Sequence, residues 1–158
     1  MEAKMNIVFF LMFFVQAYCF NVRCPSGFIA NGAKCYKFVN WQASWPEAKV
    51  MCDVMDAHLL EIDSPWEEQF ILERLDFVEN EISDGSLWIG ATDIINENEW
   101  VWMTSGKRVG YRNWNREEPE AMMKVHGHCL AVTPKPKFIW EEIPCKQELF
   151  FICEMNMD

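Results

Sequence analysis

The sequence predicts an α+β fold in which two early helices are segregated from later strands. Three observations carry that expectation. Two proline-bearing helix starts stand in the first half of the chain, at Ser44-Trp45-Pro46-Glu47 and Ser64-Pro65-Trp66-Glu67. Short alternating or apolar runs dominate the second half. Six cysteines, Cys24, Cys35, Cys52, Cys129, Cys145 and Cys153, follow an apolar N-terminal segment, the usage expected of an exported chain.

Residues 1–6 carry Lys4, and Ile7 to Val15 is unbroken apolar sequence followed by the small residues Ala17 and Cys19. That order is a secretory signal peptide over residues 1–19, because a spanning helix needs about 20 apolar residues. Removing it discards Cys19 and leaves 139 of 158 residues, a natural size for one domain over 20–158. Composition agrees with a folded chain, 51% hydrophobic with 8 Trp and 12 Phe, enough to fill a core. The formal charge of −10 excludes partners that need a basic footprint, namely nucleic acid and anionic membrane. An acidic surface attracts divalent cations or simply confers solubility. The six remaining cysteines permit three bridges, and about 15 pairings are open to sequence alone.

Both helix starts read as capping boxes with proline in the first turn, and after the first Ala48, Met51, Cys52 and Met55 recur on one face. Phe70, Ile71, Leu75 and Val78 do the same after the second. Between them His58 to Ile62 reads as a short strand or extended link, with His58 a packing or surface histidine. Cys35 to Val39 alternates like a strand, Ser86 to Ala91 reads as a buried one, and Glu99 to Met103 alternates up to Ser105-Gly106. Gly110 to Met123 is long, polar and without period, the kind of loop that carries function or stays disordered. Cys129 to Val132, Phe138 to Trp140 and Phe150 to Glu154 read as closing strands.

Taken in order, these pieces resemble a C-type lectin-like domain. The match runs through Cys24 and Cys35, Cys52, Leu87-Trp88-Ile89-Gly90, Trp114 ahead of Glu118-Pro119, Cys129, Trp140 with Cys145, and Phe151-Ile152-Cys153-Glu154. It covers residues 24–154. The resemblance implies the long form of a double-loop fold with two helices, a mixed β-sheet and a long irregular binding loop. It also implies the pairing Cys24–Cys35, Cys52–Cys153 and Cys129–Cys145.

In that family a calcium ion on the long loop holds two adjacent sugar hydroxyls. Calcium takes 6–8 oxygen ligands at about 2.3–2.6 Å, so the loop must supply hard oxygen donors. The resemblance places Glu118 and Glu120, around Pro119, and Glu141 and Glu142, after Trp140, at the metal-ligand positions. Glu118, Glu120 and Glu141 also stand at carbohydrate-binding positions. Three departures alter the site. Gly127 replaces a ligand glutamate, so a glutamate at 127 is expected to restore the lost oxygen and tighten calcium. Glu120 and Glu141 replace asparagines that donate N–H groups to sugar, and an ionised glutamate only accepts. Four carboxylates around one ion also leave excess negative charge. Asp93 and Glu97 match two ligands of an auxiliary calcium site whose other positions are Ala121, Gly127 and His128, so a solvated acidic loop is the favoured reading there. Trp114 reads as packing, and His126 and His128 as exposed loop histidines.

Two functions follow. The first is a secreted, non-catalytic carbohydrate-binding protein of innate recognition type, taking a glycan or glycoprotein, for instance on a microbial surface, through Ca2+ at altered ligands. The second is a calcium-independent module that binds protein or another surface. No Ser/His/Asp set, phosphate loop or His-Glu-x-x-His motif points to an enzyme.

Overall fold

The computed structural model describes residues 23–77, 82, 85–111, 113, 127–134 and 138–157. Expectations for residues 1–19, Val78, Trp114, Glu118, Pro119, Glu120, Ala121 and His126 lie outside these residues. Among the described residues these elements follow in chain order: β1 (Ile29–Asn31), β2 (Lys34–Ala43), α1 (Trp45–Val54), β3 (His58–Leu59), α2 (Pro65–Leu75), β4 (Leu87–Thr92), β5 (Val101–Trp102), β6 (Cys129–Thr133), β7 (Ile139–Ile143) and β8 (Leu149–Asn156). The strands form one sheet in the order β1-β2-β8-β4-β6-β7, with β3 on β8 and β5 on β4. β4 and β8 run parallel while the other pairs are antiparallel, so the sheet is mixed.

The sheet's pleat separates two cores, because successive strand residues point to opposite faces. On one side Leu87, Ile89, Leu130, Val132, Trp140 and Ile152 pack with Ile71 and Leu75 of α2. On the other Trp88, Ala131, Phe151 and Cys153 pack with Trp45, Ala48 and Cys52 of α1. The helices thus cover opposite faces, and each is started by its serine. At α1, Glu47 accepts hydrogen bonds from the Ser44 N–H (3.0 Å) and hydroxyl (2.6 Å). At α2, Ser64 Oγ accepts from the Glu67 N–H at 3.2 Å.

The three disulfides pair Cys24 with Cys35, Cys52 with Cys153 and Cys129 with Cys145. The middle one closes a sequence separation of 101 residues and joins α1 to β8. On a chain-entropy estimate a loop of about 100 residues is worth about 4.7 kcal/mol. β2 and β8 then pair along most of their length, bringing the two ends of the domain together.

Candidate functional site

The candidate site is built around the end of β4, the segment leading into β6 and the outer strand β7. Asp93 follows β4 directly and is buried. Its Oδ1 lies 2.9 Å from His128 Nδ1, and its Oδ2 accepts the Asn98 N–H at 2.8 Å. Asn98 has φ +66°, a left-handed conformation that turns its amide back toward the aspartate. The His128 carbonyl receives the Thr92 hydroxyl and, at 3.3 Å, the Asp93 N–H. The loop 94–98 is therefore hung on Asp93 and residue 128 by protein contacts, and it holds Ile94 and Ile95 out, 63% and 71% exposed.

This geometry bears on Asp93 as a ligand of an auxiliary cation, and the second such position, Glu97, lies on the same loop. Both Asp93 oxygens already serve protein donors, and His128 contributes an imidazole where an oxygen is required. Gly127 has no side-chain donor. The described donor set does not fit calcium, which needs 6–8 oxygens. His128 is half-buried and partnered rather than simply exposed.

Gly127 corrects a second expectation. It is buried against β7, where an added Cβ would lie 2.5 Å from both the nitrogen and the carbonyl carbon of Ile143 and 2.7 Å from the Glu142 carbonyl carbon. A glutamate at 127 therefore meets main chain before its carboxylate reaches any ion. Glycine stands here because two backbones touch.

On β7, Glu141 lies opposite Ala131 and Glu142 opposite Leu130, so the two side chains alternate across the strand. Glu141 Oε2 accepts the Thr133 hydroxyl at 2.5 Å, and Thr133 Oγ1 is also 2.8 Å from Ser86 Oγ. Glu142 is exposed. The other two expected ligands, Glu118 and Glu120, lie outside the described residues, and among the described residues no three histidine, cysteine, aspartate or glutamate groups are arranged to hold a metal.

A carboxylate that sequence reasoning missed organises the base of the long loop. Glu68 is buried on α2 and accepts from Asn113 Nδ2 (2.8 Å), Trp140 Nε1 (3.0 Å) and Tyr111 Oη (3.2 Å). Asn113 also donates from Nδ2 to the Phe138 carbonyl at 3.0 Å and receives the Trp140 N–H on its own carbonyl at 3.0 Å. Burial pushes the Glu68 carboxyl above the ordinary carboxylate range, while its three donors pull it back. Asn113 is thus held by Glu68, and Gly127 lies against β7. Nothing in the linear pattern marks Glu68, since it sits in a first helical turn where acids are common.

A second buried acidic group lies on the same side of the molecule as α2. Glu67 Oε1 accepts from Tyr36 Oη and Lys34 Nζ, each at 2.7 Å, and Lys34 also contacts Glu154 at 3.2 Å. His58 Nε2 lies 3.6 Å from Glu154 Oε1, and its Nδ1 lies 3.0 Å from the Leu59 carbonyl, which supports a packing role.

Comparison with known proteins agrees with this architecture. The family model described as the lectin C-type domain matches residues 41–155. Ladderlectin from Oncorhynchus mykiss is 29% identical over 123 residues, covering 78% of this chain but 63% of its own length. A C-type lectin mannose-binding isoform from Oxyuranus scutellatus is 30% identical over 135 residues, covering 83% of this chain and 82% of that protein. A solved structure, a calcium-independent type II antifreeze protein, superposes with a TM-score of 0.71 at 26% identity, covering 86% of this chain and 96% of the other. The chain belongs to the C-type lectin domain family, whose fold serves as a recognition module for carbohydrate or protein.

Proposed function

We infer that the chain is a secreted, non-catalytic recognition protein whose binding face keeps its shape without calcium and takes a glycan or glycoprotein ligand. The Asp93 arrangement carries this reading: His128 and the Asn98 amide occupy the carboxylate that would otherwise face an ion. The tight contact of Gly127 on β7 and the Thr133 bond to Glu141 point the same way. Acceptor-only carboxylates suit ligands that present hydroxyl donors. The likeness to a calcium-independent relative and to a mannose-binding one supports a ligand face on this fold under either regime.

The second reading is calcium-dependent glycan recognition through Glu118, Glu120, Glu141 and Glu142. It is favoured by the Glu118-Pro119-Glu120 sequence and by the exposure of Glu142. A glycan array probed with the oxidised protein in calcium and in chelator separates the two. Binding retained in chelator supports calcium-free recognition. Binding seen only in calcium supports the second reading. Absence of binding under both conditions moves the ligand to the protein class.

A further inference from the structure

At the far end of β2 the sheet register breaks. Val39 pairs with Phe151 and Ala43 with Leu149, so Asn40, Trp41 and Gln42 stand opposite the single residue Phe150. Bulges of this kind re-aim side chains. Here Trp41 is turned out and is 65% exposed, although tryptophan is ordinarily among the more buried residues.

Trp41 lines a groove of about 610 Å³ together with Pro46, Val50, Met51, Glu47 and Glu148. Val50, which lines the groove, is 59% exposed. The two carboxylates are not neutralised from within the lining, which holds no basic side chain. Lys49, on the same helix, is engaged by Asp53 at 2.7 Å. Glu47 is also preset: its bonds from the Ser44 hydroxyl and N–H hold the charge in place and lower its carboxyl pKa. An exposed indole that lines one groove with two carboxylates and several apolar side chains complements a cation carried on an apolar backbone.

We propose that this groove docks a basic, apolar-flanked peptide segment of a partner protein, with an arginine or lysine seated over Trp41 between Glu47 and Glu148. Leucine-like neighbours of that cation cover Val50 and Met51. The groove shares no residue with the loop and β7 site, so it is independent of how glycan recognition there turns out.

The test is a titration of the isotope-labelled, oxidised protein, followed by NMR, with a capped peptide alternating leucine and arginine. A citrulline-for-arginine peptide, mannose and N-acetylglucosamine serve as comparison ligands. The expected result is saturable shifts at the Trp41 indole and at Val50 that vanish with citrulline and weaken with salt. Trp41→Ala and Glu148→Lys each raise the dissociation constant by at least about tenfold, as for residues that anchor an interface. Glu73→Lys, the same charge change at an exposed position of α2, leaves it within about twofold. Both groove positions are exposed, and unfolding midpoints of the variants confirm that they fold. Equal weakening by Glu73→Lys, shifts that avoid the groove, or saturation of the groove by sugar but not peptide would each overturn the proposal.

Discussion

Substitution of Gly127 probes the site most sharply, because the linear pattern and the packing make opposite forecasts for it. The added Cβ of Gly127→Ala would sit 2.5 Å from Ile143, whereas ordinary contact begins at 3.4 Å, so the two backbones must part by about 0.9 Å. Neither side can give easily. Cys129 pairs with Ile143 in the sheet and is bonded to Cys145, which holds the two segments together on both sides of the collision. Overpacking of this kind costs about 1–3 kcal/mol. For a chain of this size that lowers the melting temperature by roughly 3–5 °C per kcal/mol. Thermal and urea unfolding of oxidised Gly127→Ala and Gly127→Glu measure it. Both variants should lose stability, and Gly127→Glu should gain no calcium affinity by calorimetry. Unchanged stability in Gly127→Ala, or calcium tightened by Gly127→Glu at no cost in stability, would refute the close-contact account.

Three further outcomes follow from the same contacts. Asp93→Ala leaves the Asn98 amide and His128 without their acceptor and should cost about 1–3 kcal/mol in urea unfolding, equally in calcium and in chelator; a loss confined to calcium would indicate an ion in that place. Glu154 is pushed up to about 8, chiefly by burial, with Lys34 opposing and Glu67 adding to the rise. Its folded form binds a proton that the unfolded form has released above the ordinary carboxylate range, so its contribution to stability is full at low pH and is lost as pH rises toward 8. Glu154→Gln should therefore flatten the stability profile between about pH 5 and 8, by at most about 1.4 kcal/mol per pH unit, and parallel profiles would argue against it. Removing Cys52–Cys153 should cost about 4–5 kcal/mol and removing Cys24–Cys35 about 3, by urea unfolding of the paired alanine variants; the reverse order would contradict the loop-length argument.

Much of the fold is legible because local chemistry and tertiary demand agree. Ser44 and Ser64 begin helices where their sequences say so, and Ala48, Cys52, Ile71 and Leu75 face the cores as their spacing predicts. β7 runs past Trp140 to Ile143, because backbone pairing with β6 carries the acidic residues Glu141 and Glu142 into the strand. β1 escapes notice since its three residues are all exposed and are held only by pairing with β2. Polar burial is the larger gap. Glu67 follows the second capping serine, yet its carboxylate bonds Tyr36, Lys34 and the Asp63 N–H instead of closing a capping box. Periodicity assigns such glutamates to solvent, and only the partners brought by distant strands reveal them. The candidate site divides in the same way. Asp93 is recognisable by position, but its satisfaction by His128 depends on a residue 35 positions along the chain, just ahead of β6. Gly127 reads as a missing ligand when it is a steric requirement of two adjoining backbones.

Whether the binding face keeps its shape without an ion is read from unfolding of the unmodified, oxidised protein with and without calcium. An ion held with a dissociation constant of about 0.1 mM, at the tight end for extracellular calcium modules, would at about 10 mM calcium add roughly 2.7 kcal/mol of stability. The calcium-independent account predicts coincident urea and thermal transitions in calcium and in chelator, with the loop around Asp93 giving the same NMR spectrum in both. A calcium-dependent rise approaching that size, abolished by Glu142→Ala, would contradict it.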